Sequence, residues 1–209
     1  MSEELLSWYD KKNYNMPWRI DKNPYRIWIS EIMLQQTQVK TVIPYYEKWM
    51  IRYPTVQILA ESDIDDVLKS WEGLGYYKRA HNIKNSAEYI CNNLQGKFPK
   101  NDALKELPGI GDYTYSAIMS IAFNERIPAI DGNVKRVFSR IFEQNFIKAS
   151  DIRNLSKKIK EYMPKKRPGC FNQAIMDLGR EICKPKNPKC SSCPVDSECK
   201  SLILSLIHI

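Results

Sequence analysis

Four of the six cysteines stand close together near the C-terminus, Cys183, Cys190, Cys193 and Cys199, with six, two and five residues between them. Cys91 and Cys170 stand apart. In a basic chain that opens Met1-Ser2-Glu3-Glu4, without an apolar secretion signal, clustered thiols point to a metal rather than a disulfide framework. Four thiolates suit tetrahedral zinc or a cubane iron–sulfur cluster. Structural zinc usually uses two close Cys pairs, and here only Cys190 and Cys193 are close, which favours the cluster. A second stretch, Leu107-Pro108-Gly109-Ile110-Gly111-Asp112-Tyr113-Thr114, puts two glycines around one apolar residue between helical patterns. Gly109 and Gly111 allow positive φ and close backbone approach, and the helix led by Asp112 aims free N–H groups over the turn, where a phosphate fits. Two carboxylates also stand out by position. Glu31 lies inside the apolar run Trp28 to Leu34, and Asp131 precedes Gly132-Asn133 at a helix start. Taken alone, Glu31 reads as a solvated helix residue and Asp131 as a plain N-cap.

The elements that must position these residues are helical. Ser2 caps a first helix to about Asn13, with Leu5, Leu6, Trp8 and Tyr9 along one stripe. Asn23-Pro24 reads as N-cap and first residue of a helix to about Gln36. Further helices are expected over Val39 to Ile51, from Thr55, from Ser62 or Asp63, and over Tyr77 to Cys91. A short one reaches Leu107, and others run from Asp112 to Phe123, from Asp131, from Ser150 or Asp151 to Tyr162, and from Phe171 to Ile182. Beta patterning is nowhere sustained. Between two of these helices, Gly73-Leu74-Gly75-Tyr76-Tyr77-Lys78-Arg79 combines glycines, tyrosines and paired bases as a nucleic-acid contact loop does.

The 209 residues suit one large domain or two small ones, and 43% hydrophobic with 27% charged residues is the balance of a globular protein. The formal charge is +8, unevenly spread. Arg153 to Lys200 holds 12 Lys/Arg against 5 Asp/Glu, and the remainder 20 against 19. Such a block is either the footprint of an anionic polymer or a solvated lysine-rich face. No run is long enough to span a membrane.

The cysteine spacing and the Leu-Pro-Gly-Ile-Gly hairpin resemble the endonuclease III superfamily of base-excision DNA glycosylases. Within it the chain is most similar to the MutY-type adenine DNA glycosylases. The resemblance is carried by Pro17-Trp18-Arg19, by Ser30-Glu31-Ile32-Met33-Leu34-Gln35-Gln36-Thr37-Gln38 and by Gly73-Leu74-Gly75-Tyr76-Tyr77. Asp131-Gly132-Asn133-Val134-Lys135-Arg136-Val137 and Phe171-Asn172-Gln173-Ala174 complete it. It implies an all-α helix-hairpin-helix fold with two helical modules and an active site in the cleft between them. Residues 23–131 form a six-helix module with the hairpin, and residues 1–22 and 132–200 form an iron–sulfur module with a C-terminal cluster loop. Cys183, Cys190, Cys193 and Cys199 would hold one [4Fe–4S] cluster. Relatives of this type carry a further C-terminal domain that helps recognise 8-oxoguanine. Residues 201–209 are instead an apolar tail, read as a truncated or divergent terminus.

By the same resemblance Glu31 protonates adenine N7, which requires a carboxyl buried enough to stay protonated, because an exposed Glu ionises near a pKa of about 4.3. Asp131, kept ionised by its helix start, stabilises the oxocarbenium-like sugar, and Asn133 holds sugar or water. Strand-cleaving relatives place a lysine at the hairpin position occupied here by Tyr113, and a phenol cannot form an imine. The expected reaction is therefore hydrolysis to an abasic site without strand cleavage, with Tyr113 near Glu31 or packed on a neighbour. Gln36 and Tyr76 match the wedge that fills the space of a flipped base. Trp18, Arg19, Leu34 and Gln173 match the adenine pocket, with Gln35 and Thr37 beside it, though Trp18 and Leu34 suit core packing equally well. Gly109 and Gly111 would anchor the strand. The partner implied is duplex DNA with a mispaired adenine, bound by a cytoplasmic, nucleoid-associated monomer of bacterial type. Two other readings remain: a non-catalytic DNA-binding iron–sulfur module, against which the Glu31 and Asp131 pair argues, and an endonuclease III-like glycosylase/lyase, against which Tyr113 argues.

Overall fold

The computed structural model describes residues 1–12 and 14–204. In chain order the α-helices are α1 (Ser2–Lys12), α2 (Pro24–Met33), α3 (Val39–Arg52), α4 (Val56–Glu61), α5 (Ile64–Trp71) and α6 (Lys78–Leu94). They continue as α7 (Asp112–Ile121), α8 (Gly132–Phe142), α9 (Ala149–Tyr162), α10 (Pro168–Glu181) and α11 (Lys200–Ile203). Among the described residues there is no strand, and no helix is long and apolar enough to cross a membrane. The chain divides into one unit of Asn15–Phe123 and another made of Met1–Tyr14 with the described part of Asn124–Ile209. Of the apolar tail, Ser201 to Ile203 lie in α11; residues 205–209, like Asn13 at the expected end of the first helix, fall outside the described residues.

The unit Asn15–Phe123 holds six α-helices, and α2 packs against α3, α6 and α7. Asn23 caps α2 by accepting from the Tyr25 and Arg26 N–H groups, and Pro24 supplies the preset φ of the first turn. Eight of its ten residues are buried, Glu31 among them, as expected of a helix apolar on every side. Thr55 and Asp63 cap α4 and α5 through the Ile58 and Asp65 N–H groups. The core is aromatic: the rings of Trp49 and Trp71 meet edge to face at 5.6 Å. The polar edges of that core are satisfied, because Trp49 Nε1 donates to Tyr25 Oη at 3.2 Å, which donates to the Tyr53 carbonyl at 2.6 Å.

In the other unit α1 and α8 both pack on α10. Leu5, Val134, Val137, Phe138, Ile141, Phe171, Ile175 and Leu178 form the centre of its core. Asn172 fixes the extended run before α8, accepting from the Ala129 N–H at 3.3 Å and donating to the Ile127 carbonyl at 3.0 Å.

Helix α7 ends at Ile121 rather than Phe123 and α9 starts at Ala149 rather than Ser150 or Asp151, and three further boundaries differ for identifiable physical reasons. Helix α2 stops at Met33 rather than Gln36, because Gln36 has φ of +57° and leaves the helical path. Helix α6 runs a turn past Cys91 and ends at left-handed Gln95, followed by Gly96. Helix α10 starts at Pro168, a first-position proline and thus a start signal.

Gly179 lets α10 and α8 approach closely. A Cβ at this position would lie 2.7 Å from Asn133 Cβ and 3.2 Å from its Cα, whereas one at Gly132 would meet nothing within 4 Å. Gly179→Ala is expected to destabilise the protein by about 1–3 kcal/mol through overpacking, while Gly132→Ala lowers stability by less than about 0.5 kcal/mol. Equilibrium urea unfolding checks both.

Candidate functional site

Glu31 sits on α2 with 7% of its surface exposed, among Trp28, Ile32 and Met33, which are also buried. Desolvation of this kind is the general means by which a protein keeps a carboxyl protonated. Trp18 is a core residue of the same unit, 5% exposed and edge to face with Tyr46 at 5.4 Å. Arg19 and Leu34 are half-buried, and Leu34 forms the C-cap of α2. Gln35 Nε2 donates to Thr114 Oγ1 on α7 at 3.3 Å, linking the end of α2 to the hairpin helix. Tyr113, beside Thr114, is half-buried in the first turn of α7.

Only one hairpin glycine requires its freedom. Gly109 has φ of +83°, and a Cβ there would meet Asn82 Nδ2 at 2.8 Å; Gly111 is extended, with open space where its Cβ would be. The positive φ expected of Gly111 is therefore corrected: its place is the N-cap of α7, where a missing side chain leaves the helix N–H groups accessible.

Gln36 and Tyr76 project into solvent from two turns, and both are left-handed, with φ of +57° and +49°. Tyr76 is 65% exposed. Between the turns lies Arg79, which the sequence grouped with Lys78 as a contact base and which is instead buried at 8% exposure. Its Nη1 donates to the carbonyls of Ile32 (2.9 Å), Met33 (3.0 Å) and Gln35 (2.7 Å). Its Nη2 donates to Leu74 O (3.0 Å), Gly75 O (3.2 Å) and Thr37 Oγ1 (3.4 Å). Burial lowers the Arg79 pKa. Sequence reasoning missed this residue, because spacing does not tell an inward guanidinium from an outward one.

In the second unit Asp131 is the N-cap of α8. Its Oδ1 accepts from the Val134 N–H at 2.7 Å and its Oδ2 from Asn133 Nδ2 at 2.9 Å. Asn133 Oδ1 accepts in turn from Arg136 Nη2 at 2.8 Å, and Arg136 also donates to the carbonyls of Gly179 and Cys183, both at 2.8 Å. Gln173 Oε1 accepts from Tyr9 Oη at 2.6 Å, which orients the amide.

Cys183, Cys190, Cys193 and Cys199 line one recess with Ile182, Pro188, Leu202 and Asp196. Among the described residues, no three or more His, Cys, Asp or Glu side chains gather tightly enough to hold a single metal ion. Arg140 grips the loop, donating to Cys183 Sγ at 3.2 Å and to the carbonyls of Lys184 (2.7 Å) and Pro185 (3.1 Å). Burial pushes the Cys193 thiol up to about 11 and raises Cys190 and Cys199 as well. A cationic group bound here would have to displace those protons.

The sequence model of HhH-GPD superfamily base excision DNA repair proteins matches residues 29–165. A curated adenine DNA glycosylase of Buchnera aphidicola subsp. Baizongia pistaciae is 45% identical over 203 residues, covering 96% of this chain and 58% of that protein. The chain thus spans little more than half the length of that relative. A solved thermostable thymine-DNA glycosylase superposes with a TM-score of 0.87 at 27% identity, covering 97% of this chain and 95% of its own. The protein of a non-covalent endonuclease III–DNA complex gives 0.77 at 21% identity over 99% and 98% of the two chains, which shows a common fold.

The cap geometry separates the charge of Asp131 from its structural role. Asp131→Asn retains an acceptor for the Val134 N–H and should change stability by less than about 0.5 kcal/mol, whereas Asp131→Ala removes the cap and costs about 1 kcal/mol. Urea unfolding of the two variants checks the difference.

Proposed function

The chain belongs to the HhH-GPD superfamily of base excision DNA repair proteins, and on that footing we propose that it hydrolyses the N-glycosidic bond of adenine mispaired with 8-oxoguanine or guanine in duplex DNA. The observation that carries this reading is the placement of Glu31: a carboxyl buried in the central helix of its unit, a position that packing alone would fill with an apolar side chain. The 45% identical relative is an adenine DNA glycosylase, which supports adenine as the base; the thymine-DNA glycosylase is more distant in sequence, at 27%.

Adenine leaves C1′ poorly as an anion, so Glu31 delivers a proton to N7 and converts the base into a neutral leaving group. The sugar left behind carries positive charge. Asp131, the N-cap of α8, stabilises that charge, and Asn133, fixed by Asp131 and Arg136, orients sugar or water. Water completes the reaction at C1′ and leaves an abasic site. Tyr113 offers a hydroxyl where an amine would be needed for imine formation, so the strand stays whole. Before any of this the adenine must leave the stack; Gln36 and Tyr76 enter the space it vacates, and Gly109 and Gly111 seat the backbone on the α7 N–H groups. Gln173, oriented by Tyr9, contacts the extruded base, as do Trp18, Arg19 and Leu34 with Gln35 and Thr37 beside them in sequence.

The four thiols that line one recess beside the Arg140 guanidinium fit a single [4Fe–4S] cluster. Bound there, the cluster would cross-link residues 183–199 into a rigid basic loop. Lys184, Lys186 and Lys189 on that loop would meet DNA phosphates. The chain acts on DNA as a monomer.

Single-turnover assays on a duplex with adenine opposite 8-oxoguanine, followed by alkali, test the reading. The chain should produce an alkali-labile site at the adenine. Glu31→Gln should slow it by about 10³-fold or more, and Asp131→Asn by at least about 10²-fold. Full activity of Glu31→Gln, or excision of thymine opposite guanine faster than adenine, would overturn the assignment. The cofactor assignment requires iron and acid-labile sulfide at about four each per chain, lost in Cys193→Ser; stoichiometric zinc without iron would contradict it.

A further inference from the structure

Arg79 makes six hydrogen bonds, and its partners lie at the two turns from which Gln36 and Tyr76 project. In each turn one of the accepted carbonyls belongs to the peptide immediately before the left-handed residue. Gln35 O, at 2.7 Å, precedes Gln36, and Gly75 O, at 3.2 Å, precedes Tyr76. Fixing that peptide plane fixes the reference from which φ of the next residue is measured. For a residue with a Cβ the left-handed region is uphill by about 1–2 kcal/mol, so each turn has to be held; Trp71 Nε1 shares the Gly75 carbonyl with Arg79, at 3.0 Å. One planar guanidinium with five donors can hold both planes at once, which the single ammonium of a lysine cannot. Its carbon also lies 5.6 Å from the Tyr76 ring and 5.2 Å from that of Trp71, so the tyrosine is held by side chain as well as backbone. The same Gln35 whose carbonyl is held reaches Thr114 on the hairpin helix.

We propose that Arg79 is a positioning residue that couples the Gln36 and Tyr76 turns, so that the two side chains enter the duplex as one preformed wedge rather than as two independent ones. This rests on the glycosylase reading, in which those side chains replace an extruded adenine. The clamp contacts neither DNA nor the reacting atoms; it acts through the two peptides it holds.

The test reads base extrusion separately from bond cleavage. In a Glu31→Gln background, 2-aminopurine replaces the target adenine opposite 8-oxoguanine, and its fluorescence rise on binding reports unstacking. Adding Arg79→Lys should cut that rise at least about fivefold while DNA affinity by anisotropy stays within about threefold. With Glu31 restored, the ratio of excision rates on paired duplex and on a bulged, already unstacked adenine should fall about tenfold. Fluorescence equal to that of the parent would overturn the proposal, and so would equal losses on paired and bulged substrates, the mark of a merely structural role. If Arg79→Lys does not fold, Gln36→Ala and Tyr76→Ala decide the matter with Arg79 intact. A coupled wedge makes the double variant little slower on the duplex than either single one, whereas multiplied losses would show two independent wedges. Absence of excision by the chain with Glu31 in place would count against the glycosylase reading and leave the fluorescence comparison readable.

Discussion

A guanidinium buried among backbone carbonyls is the constraint on which the first unit depends. At the C-terminal end of helix α2 Arg79 donates to the carbonyls of Ile32 and Met33. A cation at a helix C-terminus is favoured by the dipole, and here it is shielded from competing water. The arrangement fixes the end of the helix that carries Glu31 and at the same time the departure of the chain towards Gln36. Arg79 bonds five carbonyls and the Thr37 hydroxyl, and each buried acceptor left without any donor on its removal would cost about 1–3 kcal/mol. The turn carrying Tyr76 is tied to the same side chain, so the acid, the end of its helix and both projecting residues share one anchor.

The second unit uses arginine in a related way. Asp131 is held by the first turn of α8, Asn133 by Asp131, and Arg136 joins Asn133 to the carbonyl of Cys183. Arg140, one turn further along α8, holds the Cys183 sulfur and the next two carbonyls. The cysteine loop and the carboxylate are thus built on one helix, and close approach of α10 at Gly179 keeps that helix in place. Part of the basic character of this unit is therefore spent internally on carbonyls, while the lysines of residues 184–189 face outward.

Features that are local in sequence were legible before the structure. Asn23-Pro24, Asp63 and Asp131 announce helix starts because capping depends on neighbours two or three residues away. The cysteine spacing announces a four-thiol recess for the same reason. The end of α2 was misplaced by three residues, because it depends on Arg79, some 46 positions downstream of the carbonyls it holds. Arg79 itself looked like a surface base, since charge normally means solvent, and only the three-dimensional supply of carbonyls reverses that expectation. Gly111 looked like a second strained glycine, yet its value lies in the absent side chain rather than in φ.

On the proposed reading, Glu31 and Tyr113 together would define the chemistry: a buried acid to discharge adenine, and a phenol rather than an amine at the hairpin position where a sugar could be captured. The most direct measurement is mass spectrometry of the products formed in one turnover on a duplex with adenine opposite 8-oxoguanine. The account predicts free adenine in equal amount with a full-length strand bearing one abasic site, and no protein–DNA adduct after borohydride. A strand cut by elimination with a reducible adduct, or no free adenine at all, would contradict it.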